Sequence, residues 1–270
     1  MPTNDPGYFY TSGNQILDAT GNNVRLKSVS WFGFEGDDGV IDGLWVDRSY
    51  TDYLDQIKSL GFNSVRLPFA SESLTYVPNT TNASGPAYTY LSPENSDFSG
   101  KSSLEMMDLI VDYADSIDLM VVLDHHRMSL GVGTENGLWY DDEYTVQSWI
   151  DGWEMLAARY ADNTNVVGAD VQNEPYLGTW GGGGDQDWAA AATDAGNAIL
   201  AVNPNWLIFV EGVQIYEGQN YWWGGNLEGV ADLPIELDKA NKIVYSPHDY
   251  PSSVSDQPWF NDPAYPANLP

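Results

Sequence analysis

The strongest constraint on this chain is an alternation. Short apolar, β-branched runs recur, and between most of them lies a stretch whose apolar residues have helical spacing. The runs span residues 24–34, 64–69, 119–124, 166–172, 206–211 and 242–246. Helical patterns occupy 50–60, 104–117, 145–160 and 187–202. Leu54, Ile57 and Leu60 share one face of the first helix, and Met107, Ile110, Val111 and Ala114 follow helical spacing in the second. Ser102 and Glu105 fit a capping box at the start of that second helix. Such alternation predicts an α/β fold with a parallel sheet and helices outside it. The runs are largely apolar, as strands covered on both faces are. Two architectures fit, an open doubly wound sheet and a (β/α)8 TIM barrel. No Gly-rich phosphate fingerprint follows the first run, which counts against dinucleotide binding.

The placement of reactive side chains favours the barrel. Arg66 lies in the second run, and Asp124-His125-His126-Arg127 ends the third. Asn173-Glu174 ends the fourth, Glu211 the fifth and His248-Asp249-Tyr250 the sixth. All three histidines of the chain fall in these clusters. The C-terminal edge of barrel strands is where active sites are built. Glu174 follows a buried strand and precedes Pro175, which places it at the barrel mouth. A carboxyl at such a mouth is partly desolvated, the setting of a general acid. Neighbours on a strand point to opposite faces, so only one of His125 and His126 enters a cleft, and His126 is the choice. The same geometry argues against a metal site at Asp124-His125-His126. Most tryptophans near loops read as packing residues. Trp45 and Trp223 are selected instead as aromatic stacking platforms.

Composition narrows the partners. Asp and Glu number 39 against 10 Lys and Arg, a net charge of −29. Such a surface repels phosphates, so nucleic acid is excluded as a partner. Acidic disorder is opposed by 11 Trp and 13% aromatic residues. The remaining reading is a folded, salt-adapted protein, because molar salt screens self-repulsion to a Debye length of about 3 Å. The absence of Cys excludes disulfides and thiolate metal sites. No apolar stretch is long enough to span a bilayer, so no membrane partner is expected. The residues Met1 to Gly7 lack a basic region followed by an apolar one, so no signal peptide is expected there.

Several segments together resemble glycoside hydrolase family 5, and within it the bacterial secreted endo-β-1,4-glucanases. They are Gly7-Tyr8 through Gly33-Phe34-Glu35; residues 54–63 leading into Val65-Arg66-Leu67-Pro68; Leu123-Asp124-His125-His126-Arg127; and Asn173-Glu174-Pro175. Phe209-Val210-Glu211-Gly212-Val213, Tyr221-Trp222-Trp223-Gly224-Gly225-Asn226 and His248-Asp249-Tyr250 complete the set. The chain looks like an acidic, haloarchaeal-like variant of that family.

The resemblance implies a TIM barrel that cleaves β-glycosidic bonds with retention and needs no cofactor and no metal. It implies a polysaccharide (β-glucan) substrate, an extracellular location and a monomer when complete. Glu174 would be the acid/base, and Asn173 would hold the 2-hydroxyl of the sugar at the cleavage point. Arg66, His126, His248 and Tyr250 match the polar residues around the carboxylates. Arg66 would orient the nucleophile, and Tyr250 would touch it too. A retaining enzyme needs a second carboxyl about 5–5.5 Å from the first. The family takes it from the seventh strand, and the sequence ends at Pro270, after the sixth. The expectation is therefore one incomplete catalytic domain over 1–270, with about six of eight β/α units and no nucleophile. Glu211 is expected to be a structural or supporting carboxylate. An inactive glucan-binding remnant and a β-mannanase or xylanase are the alternatives.

Overall fold

The computed structural model describes residues 8–267 apart from 132, 134 and 135. The expectations placed on Met1 to Gly7 and on Pro270 lie outside the described residues. A small antiparallel sheet opens the chain, with β1 (Tyr10–Ser12), β2 (Gln15–Leu17) and β3 (Asn23–Val24). Then come β4 (Ser28–Ser30), α1 (Tyr50–Ser59), β5 (Ser64–Ala70), α2 (Ser103–Ser116) and β6 (Met120–Arg127). After them follow α3 (Val146–Arg159), β7 (Val166–Asp170), α4 (Trp188–Val202) and β8 (Leu207–Val210). A hairpin of β9 (Ile215–Tyr216) and β10 (Gln219–Asn220) precedes the last strand, β11 (Ile243–Tyr245).

Strands β4, β5, β6, β7, β8 and β11 form one parallel sheet in chain order. Two expectations need correction. The run 24–34 is not one strand. Val24 belongs to the small antiparallel sheet, the parallel strand is Ser28–Ser30, and Phe34 reaches Phe69 through an isolated bridge. In addition, no α-helix lies between β8 and β11 among the described residues. The hairpin and a short 3₁₀ turn at Glu228–Ala231 make that crossover instead.

The four helices form where the sequence places them, and each starts at a polar cap. Ser49, Ser102, Thr145 and Asp187 accept from the amides of Asp52, Glu105, Ser148 and Ala190. Each satisfies an amide that the helix itself leaves bare. The capping box at Ser102 and Glu105 is present in full.

Side-chain alternation along the strands divides the interior in two. Val65, Leu67 and Phe69, with Val121, Leu123, Ile208 and Val210, point outward and pack with the helices. Met120, Val122, Val167, Leu207 and Phe209 point inward and form a second, smaller cluster with Phe9. Ile16 and Val24 of the small sheet pack against that inner cluster, so β1–β3 cover the bottom of the barrel. Apolar residues on both faces explain why the strands read as continuous apolar runs. At the upper ends the inward positions become polar, at Arg66, Asp124, His126 and Asp170. The change of residue type along one face is what sets the site.

Candidate active site

The cleft lies above the inner cluster. It has a volume of about 620 Å3, and its lining includes Glu35, Arg66, His126, Asn173, Glu174, His248 and Tyr250. A groove of about 470 Å3 adjoins it at His126 and carries Phe32, Trp45 and Tyr90. A third hollow of about 300 Å3 joins Glu174 and Tyr250 to Trp223.

Glu174 sits just past β7 with φ +44°, a left-handed conformation uncommon outside glycine. Such strain persists only where the surroundings over-determine it, and it gathers at functional sites. Here the surroundings do so. The Glu174 amide donates to Glu211 Oε2 at 2.8 Å, and its carbonyl accepts from the Tyr176 amide at 2.7 Å. The Asn173 amide donates to the His125 carbonyl at 2.9 Å. The carboxyl itself faces His248 Nδ1, 2.8 Å from Oε1, and the Tyr250 hydroxyl donates to the same oxygen. Tyr250, expected to touch a nucleophile, thus also bonds Glu174.

Glu211 is fully buried and anchors the site. Besides holding the Glu174 amide, it lies 3.2 Å from Arg66 Nη2 and 2.9 Å from His248 Nε2. Burial raises its pKa, against the pull of His248 and Arg66. Burial disfavours a charged His248, but hydrogen bonds to Glu174 and Glu211 prevail and raise its pKa to about 10. His248 is thus an imidazolium at neutral pH, bridging the two glutamates. Gly224 closes the back of this arrangement with φ +69°. A Cβ there would fall 2.4 Å from Glu211 Oε2 and 3.3 Å from Glu174 Cα. Only glycine fits both that conformation and that space.

Arg66 gathers the floor. It contacts Asp124, Asp170 and Glu211, and its Nη2 donates to Asn173 Oδ1 at 3.1 Å. That bond fixes the Asn173 amide beside Glu174. Arg66, expected to orient a nucleophile, holds three buried carboxyls and Asn173 among the described residues. Burial opposes the Arg66 charge, but these carboxyls outweigh it and raise its pKa.

The two neighbouring histidines separate as strand geometry requires. His125 is buried on the outer face, between Ser71 Oγ at 2.8 Å and Gln172 Oε1 at 2.7 Å. Burial lowers its pKa to about 4, so it is neutral. His126 reaches the cleft, with Nδ1 2.7 Å from Asp124 Oδ2. Burial opposes its charge, yet Asp124 raises its pKa overall. The β5–β6 register explains the placement. Phe69 pairs with His125 and Ala70 with Arg127, leaving His126 as the extra residue of a bulge. Bulges beside active sites re-aim side chains in this way.

The chosen tryptophans part company. Trp223 stands in the hollow beside Tyr250, ring centroids 5.9 Å apart. Trp45 is 54% exposed and lines the adjoining groove, away from Glu174. Sequence reasoning passed over the residues that fasten the strand ends. Trp149 and Trp153 of α3 both donate their indole N–H to the Val171 carbonyl, at 3.0 and 3.1 Å. Trp188 of α4 donates to the Glu211 carbonyl at 2.8 Å. Buried tryptophans of two outer helices thus hold the backbone that carries Glu174 and Glu211. Glu35 was also missed as a site residue. It is buried at the cleft wall, accepts from the Gly33 amide at 2.8 Å, and has a pKa raised by burial.

Comparison with known proteins assigns the chain. The sequence model of the cellulase family, glycosyl hydrolase family 5, matches residues 17–269. The chain belongs to glycosyl hydrolase family 5. It is 45% identical over 269 residues to an endoglucanase of Paenibacillus polymyxa, covering 98% of this chain and 65% of that protein. It is 37% identical over 273 residues to the major extracellular endoglucanase of Xanthomonas campestris, covering 98% of this chain and 54% of that protein. The chain thus spans less than two thirds of the length of either relative. The solved catalytic domain of the Xanthomonas enzyme superposes with a TM-score of 0.84 at 35% identity, over 97% of this chain and 74% of that one. An endocellulase from Pyrococcus horikoshii, solved with cellotetraose, superposes with a TM-score of 0.82 at 38% identity, over 97% and 74% of the two chains. The parallel sheet with outer helices is the TIM-barrel-like fold of this family's catalytic domain.

Proposed function

We propose that the protein is a retaining endo-β-1,4-glucanase that cleaves internal bonds of cellulose or a related β-glucan. The observation that carries the reading is the setting of Glu174. A strained backbone aims its carboxyl into a cleft, between the His248 imidazolium and the Tyr250 hydroxyl. In this role Glu174 protonates the departing glycosidic oxygen and then removes a proton from the incoming water. Asn173, fixed by Arg66, binds the 2-hydroxyl beside the reacting carbon. His126 and Trp223 contact sugar on either side of the bond, and Trp45 stacks on a unit further along the groove.

The attacking carboxylate is proposed to come from sequence beyond this chain, which would then be a fragment of the enzyme. Glu211 is an unsuitable substitute, because both its oxygens are committed to Arg66, His248 and the Glu174 amide. The greater length of the relatives supports the same view. The extracellular Xanthomonas relative supports export, and no helix among the described residues is long and apolar enough to cross a membrane.

The test of substrate class is the release of reducing ends from β-1,4-glucan, mannan and xylan by the full-length protein. Faster release from glucan is expected, and preference for mannan or xylan refutes the assignment. Salt adaptation is part of the proposal and rests on the net charge of −29. Unfolding as salt is withdrawn is expected. Equal stability in dilute buffer and molar salt contradicts it.

A further inference from the structure

Three buried carboxyls converge on one guanidinium under the cleft, and they share the cations unequally. Arg66 Nη1 lies 2.9 Å from Asp124 Oδ2. Its Nε and Nη2 lie 3.0 and 2.9 Å from Asp170 Oδ2, and Nη2 is also 3.2 Å from Glu211 Oε1. Asp124 has a second partner in His126, at 2.7 Å. Glu211 has His248 at 2.9 Å and the Glu174 amide at 2.8 Å. Among the described residues Asp170 hydrogen-bonds with Arg66 alone, through a single oxygen. Its other oxygen, Oδ1, is buried without a hydrogen-bond partner among the described residues, and the residue is only 4% exposed at the cleft floor. Asp124 Oδ1 is bare as well, but the other oxygen of that carboxyl is shared by Arg66 and His126.

A buried carboxylate with a bare oxygen and one shared counter-charge is costly, and binding a proton removes the charge that makes burial most costly. We propose that Asp170 is a positioning residue that carries a proton at neutral pH and holds Arg66 as a neutral acid, leaving the guanidinium charge to Asp124 and Glu211. The groups facing it are Arg66 from β5, Asp124 and His126 from β6, Glu174 beyond β7, Glu211 beyond β8 and His248 beyond β11. Burial is the main cause of a pKa raised to about 8, opposed by Arg66 and reinforced by Glu211 and Asp124. The consequence is steric and electrostatic at once. With Asp170 neutral, Arg66 keeps Asn173 and Glu211 in place. With Asp170 ionised, a further negative charge enters the floor beneath Glu174. The relevance to catalysis rests on the reading of Glu174 as acid/base, but the proton on Asp170 does not.

The experiment is thermal unfolding of the full-length protein and its Asp170→Asn variant at a series of pH values from about 5 to about 8, below the raised pKa. A carboxyl that binds a proton more tightly folded than unfolded loses stability as pH rises from its ordinary value to its folded one. The Tm difference should therefore move steadily in favour of the variant across the series. A difference that stays constant, or moves in favour of the wild type, overturns the proposal. If the variant does not fold, wild-type protein labelled with 13Cγ-aspartate gives the answer by infrared titration. A protonated aspartic acid band at pH 7 that vanishes at higher pH is expected. Its absence at pH 7 overturns the proposal. Neither readout involves glucan hydrolysis, so a failed substrate assignment leaves this result separate.

Discussion

Replacing Glu211 with Gln probes how Glu174 is held. The wild-type carboxylate accepts from the Glu174 amide at 2.8 Å through Oε2, and meets Arg66 and His248 at 3.2 and 2.9 Å through Oε1. Glutamine keeps the shape but offers one acceptor oxygen. Its NH2 must then face either the Glu174 amide or the Arg66–His248 pair, donor against donor. A hydrogen bond to a charged group contributes about 1.5–3 kcal/mol. Removing one partner of a buried ion pair costs about 3–5 kcal/mol. A loss of about 3 kcal/mol is therefore expected. At about 2–4 °C per kcal/mol for a domain of this size, Tm should fall by about 6–12 °C.

A second readout follows the imidazole. His248 has a pKa raised to about 10 against an ordinary value of 6.5, with burial opposing and Glu174 and Glu211 supporting the charge. A raised folded pKa gives stability that is complete below about pH 6.5 and lost as pH rises through about 10. In the variant the His248 titration should move to lower pH, and the alkaline loss of stability should begin earlier. Thermal unfolding and NMR titration of the three histidines measure both. A Tm change below about 2 °C, with His248 titrating as before, refutes the reasoning from ion-pair loss.

The glycine behind the glutamates gives a sharper steric test. Gly224→Ala should destabilise the fold by about 2–4 kcal/mol, from the left-handed conformation and the contact with Glu211 Oε2. Denaturant unfolding would show it, and a loss below about 0.5 kcal/mol would contradict the packing described. Trp223→Ala should weaken binding of cello-oligosaccharide to the full-length protein about 3–10-fold, because one stacking face is worth about 0.5–1.5 kcal/mol. Calorimetry measures it, and unchanged affinity would remove Trp223 from the binding surface.

How much was legible beforehand varied with the physics involved. The helices were legible because their apolar spacing and caps are local properties, as the box at Ser102 and Glu105 illustrates. The parallel strands were legible because both faces are covered by apolar side chains. The run 24–34 misled because it joins a piece of the small sheet to a short strand of the large one through Arg25, Leu26 and Lys27, whose alternation of charged and apolar residues reads as continued strand. The β1–β2 hairpin escaped notice although Gly13, at φ +58°, begins its two-residue turn. Positions one residue apart, such as His125 and His126, were separable because a strand alternates faces. The tryptophan anchors were not legible. Their importance comes from which carbonyl each indole meets, and Trp188 and Glu211 are joined only by the tertiary fold. The unequal sharing of Arg66 among three carboxyls is likewise a property of distances.

The central claim is that Glu174 supplies and removes the proton in glycoside cleavage. The most direct measurement compares the full-length protein with its Glu174→Gln variant on two substrates, an unactivated β-1,4-glucan and an aryl cellobioside whose leaving group needs no proton. The account predicts a loss of about 10²–10⁴-fold on the glucan and a much smaller loss in release of the aryl group. Equal losses on both substrates, or full activity on the glucan, would contradict it.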